Sequence, residues 1–65
     1  MITLKSIDKF NNTLDLYGLS TDDKPIENFE FEYVNYKIRN SSTFYEMDTT
    51  ALFMYDEENH QWNEQ

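Results

Sequence analysis

The chain has no cysteine, one glycine and one proline among its 65 residues. The missing cysteine excludes disulfides and thiolate zinc sites, which support many domains of this size. A single glycine excludes a glycine-rich phosphate-binding loop. No apolar run reaches about 18 residues, so we expect no segment to span a membrane. Association with a protein partner, or with copies of itself, is therefore the expected source of added stability.

Basic residues are also scarce, since five lysines and arginines face 13 acidic residues and leave a net charge of −8. This charge repels nucleic acid and anionic membranes, so neither is predicted as a direct partner. Lys37 and Arg39 form a lone basic pair in an acidic chain. Residues 1–6 lack the continuous apolar stretch of a secretion signal, which predicts an intracellular chain at synthesis.

Aromatic residues, in contrast, make up 17% of the chain. They supply large buried areas from few positions, whereas a disordered acidic segment would be poor in them. We therefore predict one folded domain over residues 1–65. A chain of this length buries only about 60% of its unfolded surface, so its core is expected to be marginal.

Short alternating segments between turn residues predict an all-β fold. Residues 2–7 and 13–19 are expected to form a first hairpin around an Asp/Asn turn. Residues 43–47 and 51–55 flank an Asp-Thr-Thr turn and predict a second hairpin, with Trp62 starting a short final strand or packing over it. The expected architecture is a small antiparallel meander or an open barrel of about five strands.

The segment from 26 to 39 leaves two alternatives open. Four of its residues have helical spacing, namely Ile26, Phe29, Tyr33 and Tyr36. A short helix within 22–33 is therefore one alternative. Phe, Tyr, Val and Ile prefer strands, however, and the alternation changes side between Tyr33 and Val34. We favour one long strand that a bulge bends at this point.

No catalytic or cofactor motif is recognisable. His60 is the only histidine and has no marked Ser or Thr nucleophile beside it. It could join Asp56, Glu57 and Asn59 around a divalent ion, but their spacing does not match an EF-hand loop. A metal enzyme that uses Asp56, Glu58 and His60 is a still weaker alternative. The acidic pairs at 22–23 and 57–58 fall in predicted exposed turns, which disfavours a catalytic dyad. We predict a protein without enzymatic activity and without a cofactor.

An acidic sheet can also imitate the phosphate row of a nucleic acid. Glu30 and Glu32 would lie about 6.7 Å apart on one strand, close to two base steps of about 3.4 Å each. Three further acids extend this candidate surface, namely Asp22, Asp23 and Glu27. The commoner interpretation of such a set is a solvated strand face. The functional alternative is an inhibitor that occupies the nucleic-acid site of a host defence or DNA-binding protein.

The segment from 41 to 62 has a recognisable layout. It contains Ser42-Thr43-Phe44-Tyr45, Asp48-Thr49, Phe53-Met54-Tyr55-Asp56 and Glu58-Asn59-His60-Gln61-Trp62. This layout resembles a passage in small proteins encoded among the structural genes of tailed phages. The resembled passage often has glycine where this chain has Ser41 and Thr50. The resemblance covers a third of the chain and implies a virion component, such as a capsid, head-fibre or tail accessory protein.

The expected function is therefore that of a non-enzymatic phage structural protein, located in the virion or the host cytoplasm. It would act by protein–protein association, to which tyrosine and tryptophan contribute strongly. Five such residues are interface candidates, namely Tyr17, Tyr36, Tyr45, Tyr55 and Trp62. Several of these are also expected to belong to the core.

Overall fold

The computed structural model describes all residues from 1 to 65 and confirms the all-β prediction. Its seven strands are β1 (Thr3–Asp8), β2 (Thr13–Gly18), β3 (Asn28–Phe31), β4 (Val34–Lys37), β5 (Thr43–Glu46), β6 (Leu52–Asp56) and β7 (Gln61–Glu64). The short helix considered within 22–33 is absent. The structure contains no helix of the length and apolar character needed to cross a membrane.

Five strands form one open sheet in the order β1-β2-β5-β6-β7, and β3 pairs only with β4. The sequence predicts about five strands in all, whereas the chain has seven, five of them in the main sheet, and this sheet does not close into a barrel. Neighbouring strands of this sheet are antiparallel, except for β2 and β5. These two strands run parallel, and their pairing extends from Asp15↔Thr43 to Gly18↔Glu46. Parallel neighbours need a long crossover. Residues 19–42, which include the β3–β4 hairpin, supply this connection.

The prediction of one long bent strand over 26–39 is wrong, because the chain reverses there. Phe31 pairs with Val34, and Glu32 and Tyr33 form a two-residue turn with φ of 50° and 68°. Positive φ at both central positions gives the turn a twist that matches the flanking strands. The change of side between Tyr33 and Val34 therefore marks a hairpin turn and not a bulge.

The hydrophobic core lies on one face of the five-stranded sheet. Its buried residues are Leu14, Leu16, Ile38, Phe44 and Tyr55. Partly buried residues from β1, β3, β4, β6 and β7, and from the residue before β1, pack against them, namely Ile2, Leu4, Ile7, Phe29, Tyr36, Phe53 and Trp62. Gly18 allows a close approach here, because a Cβ at this position would lie 3.0 Å from the Phe44 ring and 2.8 Å from the Asp22 carboxylate.

Lys24 covers part of this core face. Its Nζ lies 4.9 Å from the Phe44 ring centroid and 4.4 Å from the Phe53 ring centroid. The same Nζ forms an ion pair with Glu46 Oε2 at 2.6 Å, and both side chains are largely buried. The lysine stem therefore packs on aromatic rings while its charge meets a carboxylate.

The next residues of the crossover bind the polar tips of two core aromatics. Trp62 Nε1 donates a hydrogen bond to the Pro25 carbonyl at 2.8 Å, and the Tyr55 hydroxyl donates one to the Ile26 carbonyl. The ring centroids of Tyr55 and Trp62 lie 4.9 Å apart. These bonds attach residues 25–26 to β6 and β7, and they satisfy polar groups that burial would otherwise penalise.

Two hairpin turns of the main sheet have the same construction. In each, the aspartate that ends the first strand accepts hydrogen bonds from the backbone amides two and three residues later. Its second oxygen accepts from the side chain of the asparagine three residues later. The two pairs are Asp8 with Asn11 and Asp56 with Asn59. Asn12 and His60, with φ of 58° and 51°, then lead into the second strands.

Candidate binding surface

The outer face of the main sheet, opposite the core, carries a row of aromatic and apolar side chains. The strand register aligns Thr3 with Tyr17, Tyr17 with Tyr45, and Tyr45 with Leu52. Side chains alternate between the two faces of a strand. Because Leu16 and Phe44 point into the core, Tyr17 and Tyr45, which follow them along the strands, point away from it.

Two methionines extend the row, and we call the resulting surface the outer patch. It consists of Tyr17, Tyr45, Met47, Leu52 and Met54. The exposed fractions are 40% for Tyr45, 47% for Met47, 41% for Leu52 and 37% for Met54. A shallow groove of about 720 Å³ runs between most of these residues. Antiparallel sheets usually present polar side chains to water on their open face, so this apolar surface is unusual for a free sheet.

The outer face carries little net charge in its two central rows, although the chain carries −8. Its second row, which the register aligns across all five strands, is Ser6, Asp15, Thr43, Met54 and Asn63. Asp15 is the only acid in the two central rows, and its carboxylate accepts hydrogen bonds from Ser6 Oγ and Thr43 Oγ1, each at 2.7 Å. Lys5 stands beside it, in the irregularity of β1 between Leu4 and Ser6.

The five aromatic interface candidates divide between the two faces. Tyr17 and Tyr45 lie side by side in the outer patch. Tyr36, Tyr55 and Trp62 belong to the core side, where Tyr55 is buried and the other two pack against the core. The three other members of the patch, Met47, Leu52 and Met54, were not among the predicted residues. The signal for two of them is the run 52–55, which is apolar at every position and therefore apolar on both faces of a strand.

The acidic residues predicted as a phosphate-like row do not lie along one extended strand. Glu30 lies in β3, but Glu32 lies in the turn beyond it with φ of 50°. The spacing of an extended strand therefore does not apply to this pair. Asp23 and Glu27 are exposed in the crossover. Asp22 is partly buried and accepts a hydrogen bond from the Leu19 amide at 2.8 Å and from the Met1 amino group at 2.9 Å.

Several acids have their oxygens engaged in the turns that they shape. The Leu19 amide lowers the pKa of Asp22, and the Ser20 hydroxyl lowers the pKa of Asp48. The hydrogen bond from Lys24 lowers the pKa of Glu46. The asparagine side chains of the two similar turns lower the pKa values of Asp8 and Asp56. Much of the acidity thus stabilises local structure, since each charged form receives hydrogen bonds.

A small cleft of about 330 Å³ contains His60, and its lining includes Glu27, Glu57 and Tyr55. His60 Nδ1 lies 3.3 Å from the Tyr55 hydroxyl oxygen. Burial raises the pKa of Tyr55, and the charges of Glu27 and Glu57 raise it further. No three acidic or histidine side chains in the structure form a group that could hold a metal ion, so Asp56, Glu58 and His60 do not form one.

Comparison with known proteins finds no matching family model, no matching curated protein and no matching solved structure. The outer patch is thus assigned from its geometry alone. An apolar sheet face whose central rows are nearly uncharged can bind another protein surface by excluding water from both.

Proposed function

We propose that this chain is a non-enzymatic structural protein that acts by protein–protein association through its outer patch. The observation that supports this proposal is the row of Tyr17, Tyr45 and Leu52 on a sheet face that no other element covers. Tyrosine is enriched at the centres of protein interfaces. The surrounding positions of the face are polar, as Thr3, Ser6 and Asn63 are, and such a rim is typical of an interface.

A phage particle is the setting that we propose for this association. The resemblance to phage structural proteins lies in residues 41–62, and this segment supplies four of the five outer-patch residues, namely Tyr45, Met47, Leu52 and Met54. Ser41 and Thr50 replace glycines of the resembled passage. Their φ values of 74° and 61° lie in the left-handed region that glycine adopts most readily. Backbone geometry at both positions therefore supports the resemblance.

The strength of the contact follows from the partial exposure of the patch. Full burial of a large apolar side chain contributes about 1.5–3 kcal/mol, and side chains already half-buried contribute about half of that. Five such residues give a gross gain of several kcal/mol, which is similar to the entropic cost of associating two proteins. One contact alone is therefore weak. Many copies held together in a particle would make it stable, because later contacts form at high effective concentration.

Sedimentation of phage particles tests this proposal. Particles are collected from cells that carry the encoding genome, and the chain in the particle fraction is quantified by mass spectrometry. We expect the wild-type chain to sediment with the particles and Tyr45→Ser to be depleted from them. Tyr33→Ser is the matched control, because Tyr33 is 99% exposed at the tip of the β3–β4 hairpin.

The same assay addresses the acidic alternative. Glu30→Gln combined with Glu32→Gln removes the charges on which a nucleic-acid mimic would depend. We expect this double variant to enter particles as the wild type does. Absence of the wild-type chain from particles would contradict the virion setting. Loss of particle binding in the glutamine variant but not in Tyr45→Ser would contradict the role of the outer patch.

A further inference from the structure

The charge of the outer face restricts what can cover it. Lys5 and Asp15 are the charged side chains in and beside its two central rows, and they balance each other. Asp8 and Asp56 lie on the same face at the strand ends, where their carboxylates accept hydrogen bonds within their turns. A strongly basic partner would gain little at the centre of this face, because most of the acids that could attract it lie elsewhere on the molecule. The complementary surface is another nearly uncharged sheet face of aromatic and aliphatic side chains. The chain itself carries such a face.

The size of the molecule is compatible with a second copy at this face. Its extents are 28 × 26 × 18 Å, and the two longer dimensions give a projected area of about 700 Å². A standard interface buries about 600–1,000 Å² of each partner's surface. Sheets stack face to face at a separation of about 10 Å, which lets side chains of both inner faces interdigitate. The outer patch can thus form the centre of a two-sheet sandwich.

The rest of the surface disfavours other contacts between copies of the chain. Twelve of the 13 acids lie outside the central rows of the outer face, so other approaches bring like charges together. The β1 edge contains an irregularity at Lys5, a feature that discourages edge-to-edge pairing. In the central rows of the outer face two chains meet with little repulsion, because Asp15 is the only acid there.

We infer that a second copy of this chain covers the outer patch, giving a two-fold dimer in which the two main sheets pack face to face. The inference rests on the proposed function and names the partner of the same surface. The dimer buries Tyr17, Tyr45 and Leu52 of both chains. The core side of each sheet, with most of the acids, faces away from the contact.

Sedimentation of the purified full chain tests the inference, from about 1 µM to about 1 mM protein. We expect the mass to rise from 7.9 kDa to twice that value with concentration. Salt should strengthen the dimer, because it screens the repulsion between two chains of charge −8. A chain that stays at 7.9 kDa over the whole range and at high salt would overturn the inference.

Two substitutions of opposite charge locate the interface. Leu52→Glu and Met54→Lys should each weaken the dimer by at least about tenfold, because each places an unpaired charge in the contact. Met54→Lys reduces the net negative charge, so its effect cannot come from stronger repulsion between chains. Tyr33→Glu changes the charge as Leu52→Glu does, but away from the sheet, and should leave the dimer unchanged. Circular dichroism of each variant confirms that the fold is retained.

These results separate the inference from the proposed function. A dimer that forms equally well with both Leu52→Glu and Met54→Lys would place the contact elsewhere and overturn the inference. A monomeric chain whose Tyr45→Ser variant still loses particle binding would overturn the inference alone and leave the proposed function standing. A dimer of a chain that is absent from particles would contradict the virion setting alone.

Discussion

Replacement of Ser42 by alanine should destabilise the junction between the parallel strands β2 and β5. Ser42 is fully buried, and its Oγ accepts a hydrogen bond from the Leu14 amide at 3.1 Å. Alanine removes the acceptor and leaves a buried N–H without a partner, at a cost of about 1–3 kcal/mol. A chain of 65 residues has a total stability of about 3–10 kcal/mol at about 0.05–0.15 kcal/mol per residue. The loss is therefore a large fraction of the total.

Urea denaturation followed by circular dichroism measures this effect. The midpoint should move to lower urea while the slope of the transition stays the same, because the surface exposed on unfolding does not change. The thermal midpoint should fall by at least about 4 °C. Thr21→Ala is the control, since the Thr21 side chain is exposed and its loss should change stability by less than about 0.5 kcal/mol. Equal midpoints for the two variants would refute the role given to Ser42.

Three further predictions concern stability. The folded state lowers the pKa values of turn carboxylates such as Asp22 and Asp48. These carboxylates therefore stabilise the fold fully above the ordinary pKa of 3.8, and the stabilisation is lost as the pH falls through their lower folded pKa values. A thermal midpoint that is constant down to about pH 2 would contradict this. Lys24→Met should lower the thermal midpoint, because it leaves the Glu46 carboxylate without its cation, and Lys24→Met with Glu46→Leu should recover part of the loss. Thr50→Gly should stabilise the chain by up to about 1 kcal/mol, because relief of the left-handed strain exceeds the entropic cost of glycine; a lower midpoint would show that the turn needs the threonine.

The local elements of this fold are predictable from its sequence. Both hairpins with alternating strands, β1–β2 and β5–β6, follow from residue pattern and turn composition. The similar turns at Asp8 and Asp56 have a sequence signal, since each aspartate is followed three residues later by asparagine. Such local hydrogen bonds need no information about the rest of the chain.

Two features of the fold could not be predicted in this way. The turn at Glu32 and Tyr33 has none of the glycine or asparagine that usually marks a two-residue hairpin, so the sequence alone predicts a bulge at its change of alternation. The parallel pairing of β2 with β5 joins residues 28 positions apart, such as Asp15 and Thr43. It depends on how the crossover packs, through contacts such as Trp62 with Pro25, and no local pattern encodes it.

The outer patch depends on that parallel pairing. Tyr17 and Tyr45 were identified as interface candidates separately, but only the β2–β5 register places them side by side. Leu52 then joins them through the antiparallel register of β6. The sequence thus indicates which residue types can form an interface, whereas long-range strand order decides which of them share a face.

Site-specific photo-crosslinking at position 45 tests most directly that the outer patch is a contact between copies. A photoreactive phenylalanine analogue replaces Tyr45 in one sample and Tyr33 in another, and the purified chains are irradiated at equal concentration. We expect a covalent product of twice 7.9 kDa from the position-45 sample, with the crosslinks falling on β2, β5 or β6 of the second chain. Equal yields from the two positions, or no dimeric product from position 45, would contradict this contact.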